Sequence, residues 1–196
     1  VGLARQAVNA DRAIWIGGSL GPLGIRLAPY GRVRPEQAAA AYRRSIAALI
    51  EAGVDLLIFE THTDLRELTL AVEAARQMCD LPILASMTYT RDDRSLLGDG
   101  PAQAVAAVTA AGADVLGANC SGGPAQLLRI LDEMRRAAAG RPLAVMPNAG
   151  WPERLGGRIM YAATPDYFGE YARAFRAGGA SIIGGCCGTT PDHIAA

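Results

Sequence analysis

Val54-Asp55-Leu56-Leu57-Ile58-Phe59-Glu60 is apolar at every position except its second and its last. A strand with one wet face alternates. A near-continuous apolar run belongs to a strand covered on both faces, as in a parallel sheet. The run ends in a carboxylate. Just before it, Glu51-Ala52-Gly53 closes a helix that opens at Pro35, where proline suits the first helical position. Ala39, Tyr42, Ile46, Leu49 and Ile50 give that helix an apolar stripe at helical spacing. The same junction returns at Ala111-Gly112-Ala113-Asp114 and at Ala177-Gly178-Gly179-Ala180. Each unit spans about 30 to 40 residues, the size of a strand–helix–strand step.

Outward from this stretch the alternation continues. Strands are predicted at Ala13–Ile16, Pro82–Thr88, Asp114–Cys120, Pro142–Asn148 and Ala180–Gly185. Helices are predicted at Leu65–Met78, Pro101–Ala111, Pro124–Ala138 and Pro165–Ala177, with a long loop over Ala149–Ala163. Strand–helix alternation means a parallel α/β sheet. It closes either as an open doubly wound sheet or as a (β/α)8 barrel. The strand ends favour the barrel. Ser19, Glu60, Thr88, Asn119-Cys120, Asn148 and Cys186-Cys187 all stand at C-terminal ends, and barrel sites are built on that rim from several strands. An open sheet gathers its chemistry at one switch point. Six strands are legible rather than eight. The expectation is therefore a TIM barrel truncated to about six βα units, one domain over residues 1–196. The first two strands are expected to be missing before Val1, because Val1–Val8 reads as the middle of a helix. The chain is expected to continue past Ala196.

Composition excludes several function classes. Formal net charge is zero, with acids and bases interspersed, so neither a nucleic-acid stripe nor a polybasic membrane patch is expected. No apolar run reaches the ~18 residues of a membrane span, and no secretory signal opens the chain. The reading is cytoplasmic, where thiols serve metals or catalysis more often than disulfides.

Four cysteines occur: Cys79, Cys120, Cys186 and Cys187. Adjacent cysteines between glycines, Gly185-Cys186-Cys187-Gly188, are badly placed to bond each other. They suit two thiolates delivered to one point. Cys120 ends a neighbouring strand, so three sulfurs can converge on the rim. Three thiolates plus one open position match catalytic zinc, and such a site would hold a substrate thiol as thiolate at neutral pH. Cys79, at a helix end away from the rim, reads as structural. His193 reads as a helix-start residue rather than a ligand.

Gly184-Gly185-Cys186-Cys187-Gly188-Thr189-Thr190-Pro191, together with Gly117-Ala118-Asn119-Cys120, resembles the homocysteine S-methyltransferase domain family. Ser19-Leu20-Gly21-Pro22, Phe59-Glu60-Thr61 and Met146-Pro147-Asn148-Ala149-Gly150 are similar to further motifs of that family. Gly156–Tyr161 and Ala163–Phe168 are similar to a narrower branch, in which this domain precedes a methylenetetrahydrofolate reductase domain. The resemblance implies a (β/α)8 barrel and one Zn²⁺ per chain on Cys120, Cys186 and Cys187. It implies homocysteine as the methyl acceptor and methionine as product. It implies that Glu60 meets the substrate ammonium, with Ser86, Thr88, Asn119 and Asn148 as further polar contacts. The donor stays open among methylfolate, methylcobalamin, betaine, S-methylmethionine and S-adenosylmethionine. In the family, a Gly-rich turn after the first strand helps hold the amino-acid end of the substrate, and no such turn precedes Val1. Two other readings remain. One is a TIM-barrel lyase or aldolase with a structural cysteine cluster, against which no lysine ends a strand. The other is an inactive metal-binding scaffold.

Overall fold

The computed structural model describes residues 1–8 and 14–196. In chain order these form α1 (Gly2–Ala7), β1 (Gly17–Leu20), α2 (Pro35–Glu51), β2 (Leu56–His62), α3 (Leu65–Arg76), β3 (Ile83–Met87) and α4 (Pro101–Ala110). There follow β4 (Val115–Cys120), α5 (Pro124–Ala137), β5 (Leu143–Pro147), β6 (Pro152–Leu155), β7 (Arg158–Tyr161), α6 (Pro165–Ala177), β8 (Ile182–Ile183) and α7 (Pro191–Ala195). Proline opens five of the seven helices, where its missing N–H costs nothing.

Six strands form one parallel sheet in the order β1-β2-β3-β4-β5-β8. The order never reverses, so there is no switch point of the doubly wound kind. Right-handed crossovers between successive neighbours place α2 to α6 on the same face, where consecutive helices pack on one another. That is the arrangement of a barrel wall, and the α/β reading of the sequence holds.

The core is the layer between sheet and helices. Leu57, Phe59, Ile83, Leu116, Leu143 and Val145 point into it and are buried, while Leu56 and Ile58 on the opposite face are only half-buried. Each large side chain fully removed from water contributes roughly 1.5–3 kcal/mol, so stability resides in that layer. Tyr42 of α2 crosses it to donate to Glu67 Oε1 of α3 at 2.8 Å, and the same oxygen accepts from Leu23 N at 2.7 Å.

The repeated helix–strand junction has a physical role. Asp55 accepts from Ile16 N at 2.6 Å, and Asp114 accepts from Ile83 N at 2.8 Å. Each carboxylate also pairs with an arginine, Arg5 for Asp55 and Arg76 for Asp114. At the first two junctions one aspartate thus ties down the start of the neighbouring strand; the third, Gly179-Ala180-Ser181, has none.

Three expectations need correction. The strand expected over Ala13–Ile16 is Gly17–Leu20; Ala13 lies outside the described residues, and Trp15 is 74% exposed. The Asp55 bond to Ile16 N fixes where pairing starts, and the apolar character of Ile14 and Trp15 does not. The loop expected over Ala149–Ala163 contains an antiparallel hairpin, β6–β7, turning at Gly156-Gly157. Its sides carry arginines and a glutamate among the apolar residues, which hid the strand pattern. The strand expected over Ala180–Gly185 shrinks to two regular residues, Ile182–Ile183, although Gly184 N and Cys186 N still donate to Val145 O and Pro147 O of β5 and carry the cysteine turn along that strand. Among the described residues no helix is long and apolar enough to cross a membrane.

Candidate metal centre

Cys120 ends β4, and Cys186-Cys187 follow β8. The register puts these termini on one rim, with β5 between them. Cys120 Sγ lies 3.2 Å from Cys186 Sγ and 3.7 Å from Cys187 Sγ, and all three sulfurs fall within 4.8 Å of one another. Tetrahedral zinc with sulfur at about 2.3 Å sets its ligands about 3.8 Å apart. The three thiols therefore fit that ion in number, chemistry and spacing, with a fourth position left over. Cys79 stands apart, half-buried against the core, its thiol near Ala75 O.

Backbone strain delivers the sulfurs. Cys120 and Ser121 have φ of 55° and 56°, and Thr61 at the end of β2 has 63°. Non-glycine residues rarely adopt this left-handed region, and three in one rim mark a built geometry. Two asparagines hold it. Asn119 Oδ1 accepts from Thr61 N at 2.8 Å, and its Nδ2 donates to Thr61 Oγ1 at 2.8 Å and toward Cys186 Sγ at 3.8 Å. Asn148 donates to Ser121 O at 2.9 Å and accepts from Cys187 N at 3.1 Å. Each asparagine thus ties two turns that are distant in sequence.

Hydrogen bonding splits the thiols. The Cys120–Cys186 hydrogen bond holds the Cys186 thiol down to about 6 against burial, aided by the Cys187 amide and Asn119. Cys120 is pushed up, first by the same bond and then by burial.

Of the other expected residues, Glu60 is half-buried and accepts from Ser19 Oγ across the β1–β2 edge. Thr88 Oγ1 donates to Asn119 O at 3.1 Å. Ser86 is 0% exposed, and its hydroxyl finds no partner among the described residues. His193 caps α7 through Thr190 and bonds Ala163 O through Nε2 at 3.0 Å, so both ring nitrogens are engaged away from the sulfurs.

In the sequence Thr61 and Tyr161 stand only within motifs, and neither they nor Ser121 gain a role at the site from it. The Tyr161 ring lies against Gly188, where a Cβ would meet Tyr161 Cγ at 2.3 Å. Its phenol is pushed up by burial and then by the neighbouring Cys187 thiol. The hairpin that carries it had read as loop, which removed the one signal that would have placed it.

The homocysteine S-methyltransferase family description matches residues 1–196. The methionine synthases of Mycobacterium leprae (strain TN) and Mycobacterium tuberculosis (strain ATCC 25618 / H37Rv) are each 34% identical over 98% of this chain. The chain spans 16% of each of those proteins. It is similar to the metallated form of the homocysteine methyltransferase MmuM from Escherichia coli, at 28% identity and a TM-score of 0.77. That likeness covers 99% of this chain and 65% of the other.

Proposed function

The chain belongs to the homocysteine S-methyltransferase family, and on that premise we propose that it transfers a methyl group to the thiol of homocysteine, giving methionine. The observation that carries the proposal is the convergence of Cys120, Cys186 and Cys187 within 4.8 Å at a spacing that suits one zinc ion. Zinc bound there supplies a Lewis acid that keeps a fourth, substrate sulfur ionised at neutral pH.

The rest of the chemistry falls to this chain's own residues. Glu60, oriented by the Ser19 hydroxyl, is an acceptor for the substrate ammonium from the neighbouring rim. Asn119 and Asn148 fix the two cysteine turns, so the sulfurs keep their geometry while substrate enters. Thr88 supports Asn119 from β3, and Ser86 offers an unused hydroxyl lower in the wall. The donor's methyl carbon would have to come within bonding reach of the acceptor sulfur held at this rim. The sulfur's electron pair forms the new S–CH₃ bond as the donor's bond to that carbon breaks. An aldolase reading loses its usual nucleophile, since the sequence contains no lysine.

Zinc analysis and X-ray absorption on the full-length protein test the proposal. One zinc per chain and three sulfur neighbours are expected, rising to four with homocysteine. Three sulfurs that stay three in its presence would overturn the thiol-activation step. Turnover with methylfolate, methylcobalamin, betaine, S-methylmethionine and S-adenosylmethionine, each offered in turn, identifies the donor. The Gly156–Phe168 segment motivates assaying any fused reductase domain beside it.

A further inference from the structure

Beside the cysteine cluster lies a cleft of about 830 Å³ that the proposed reaction does not use. It opens between the β4–α5 turn, the β3–α4 loop and the base of the hairpin. One end is the start of α5, a helix of 14 residues with no side-chain cap. The first-turn amides of Ala125 and Gln126 find no acceptor among the described residues. A helix start of this kind attracts an anionic group.

A second observation is independent of the helix. Gln126 is 4% exposed and lines the cleft. Its Nε2 donates to Thr90 O at 2.6 Å and to Asp93 Oδ1 at 2.8 Å. Both partners are acceptors, so the amide orientation is settled. Gln126 Oε1 is left buried and without a donor. It points to Gly122, where a Cβ would meet both this oxygen, at 2.5 Å, and the Trp151 indole, at 2.1 Å. A buried acceptor without a partner is uncommon and calls for a donor.

The charges around the cleft are not equivalent. Arg129 is engaged by Asp93. Glu153 stands on the hairpin side. Arg91 has no acidic partner among the described residues and lies over the Trp151 ring, 4.5 Å from its centroid. The cleft thus offers a cation and free amides for an anion, one acceptor for an N–H, and aromatic walls from Trp151 and Tyr167.

We propose that this cleft is a second ligand site, separate from the cysteines, for a small apolar α-amino acid. Its carboxylate sits on the α5 amides and Arg91. Its ammonium reaches Gln126 Oε1 as the indole tilts aside. Its side chain lies against Trp151 and Tyr167. Gly122 is two residues from Cys120, so occupancy stiffens the turn that carries the first sulfur.

The test uses L-norleucine, which has no sulfur to draw it to the cysteines, and the fluorescence of Trp151 in a Trp15→Phe background. A saturable change is expected. L-norleucinamide, which lacks the carboxylate, and hexanoate, which lacks the ammonium, should each bind at least about tenfold more weakly. Arg91→Ala, on an exposed side chain with no role in the core, should weaken norleucine to a similar degree, and Gln126→Met should do so as well. Absence of a saturable change overturns the proposal, as does equal binding of all three probes or indifference to Arg91→Ala. Repeating the titration in Cys186→Ser separates the two sites. Survival of binding supports a second site. Its loss assigns the ligand to the cysteine rim and overturns this inference while leaving the methyl-transfer reading intact.

Discussion

Asn148→Ala removes both side-chain hydrogen bonds by which Asn148 joins the Cys120 turn to the Cys187 turn. Asn148 is 4% exposed, and the Ser121 carbonyl it serves belongs to a buried residue. Leaving that carbonyl bare costs about 1–3 kcal/mol, while the Cys187 amide, nearer solvent, costs about 0.5–1.5 kcal/mol. The sum is about 1.5–4.5 kcal/mol, which in a chain of this size lowers Tm by roughly 3–18 °C. The larger effect falls on the metal. Ligands freed from such supporting contacts lose about 10–100-fold in affinity. Asn148→Asp is the sharper comparison. It keeps the acceptor for Cys187 N–H, turns a second oxygen on the Ser121 carbonyl and adds a negative charge beside three sulfurs. Zinc affinity by competition with a chromogenic chelator, and Tm by calorimetry, read both effects in the full-length protein. If Asn148→Ala holds zinc within about twofold of the parent and melts within about 1 °C of it, the asparagine does not tie the turns as argued.

Cys186→Ser and Cys187→Ser should each abolish stoichiometric zinc, measured by elemental analysis after dialysis, whereas Cys79→Ser should leave one zinc per chain. Retention of metal after either rim substitution would refute the ligand set. His62, the last residue of β2, is 0% exposed and packed on Tyr42 and Phe59, with Asp64 the nearby charge, and burial holds it down to about 4 from 6.5. The unfolded chain therefore binds more protons between those values. Stability is full above about 6.5 and falls as pH drops toward 4, by up to about 3 kcal/mol. Urea unfolding at several pH values should show this slope, and His62→Phe should flatten it. An unchanged slope in that variant would assign the acid sensitivity elsewhere.

The strands and helices were legible because burial dictated them. The apolar run through Phe59 and the stripe through Tyr42 and Ile46 admit few other readings. The three cysteines were legible because thiols between glycines at strand ends have few structural uses. What stayed hidden depends on contacts between distant segments. The edges of β1 follow a single carboxylate, Asp55, whose bond to Ile16 N outranks the local preference of Ile14 and Trp15 for a strand. The β6–β7 hairpin lacks apolar alternation, since its residues are almost all exposed and held by backbone pairing. Tyr161 enters the sequence reading only as part of the Gly156–Tyr161 motif, and for the same reason it gains no role there. Gln126 lies in a helix whose sequence does not single it out, and only its packing against Gly122 and Trp151 sets it apart.

The left-handed residues give the rim its logic. A strand that ended in ordinary extended geometry would send Cys120 up and away from β8. Reversing the backbone at Cys120 and Ser121 turns the sulfur sideways, toward Cys186 and Cys187. Thr61 makes the same reversal at the end of β2, and Asn119 bonds it through both amide atoms. Each such residue costs of order 1 kcal/mol, and a folded chain keeps that strain only where neighbours enforce it. Asn119 therefore acts on two strained turns at once, the one it precedes and the one it grips. That places its importance upstream of any substrate. A side chain committed to Thr61 and directed at Cys186 sets where the sulfurs stand before a ligand arrives, and the geometry that suits zinc follows from the backbone it restrains.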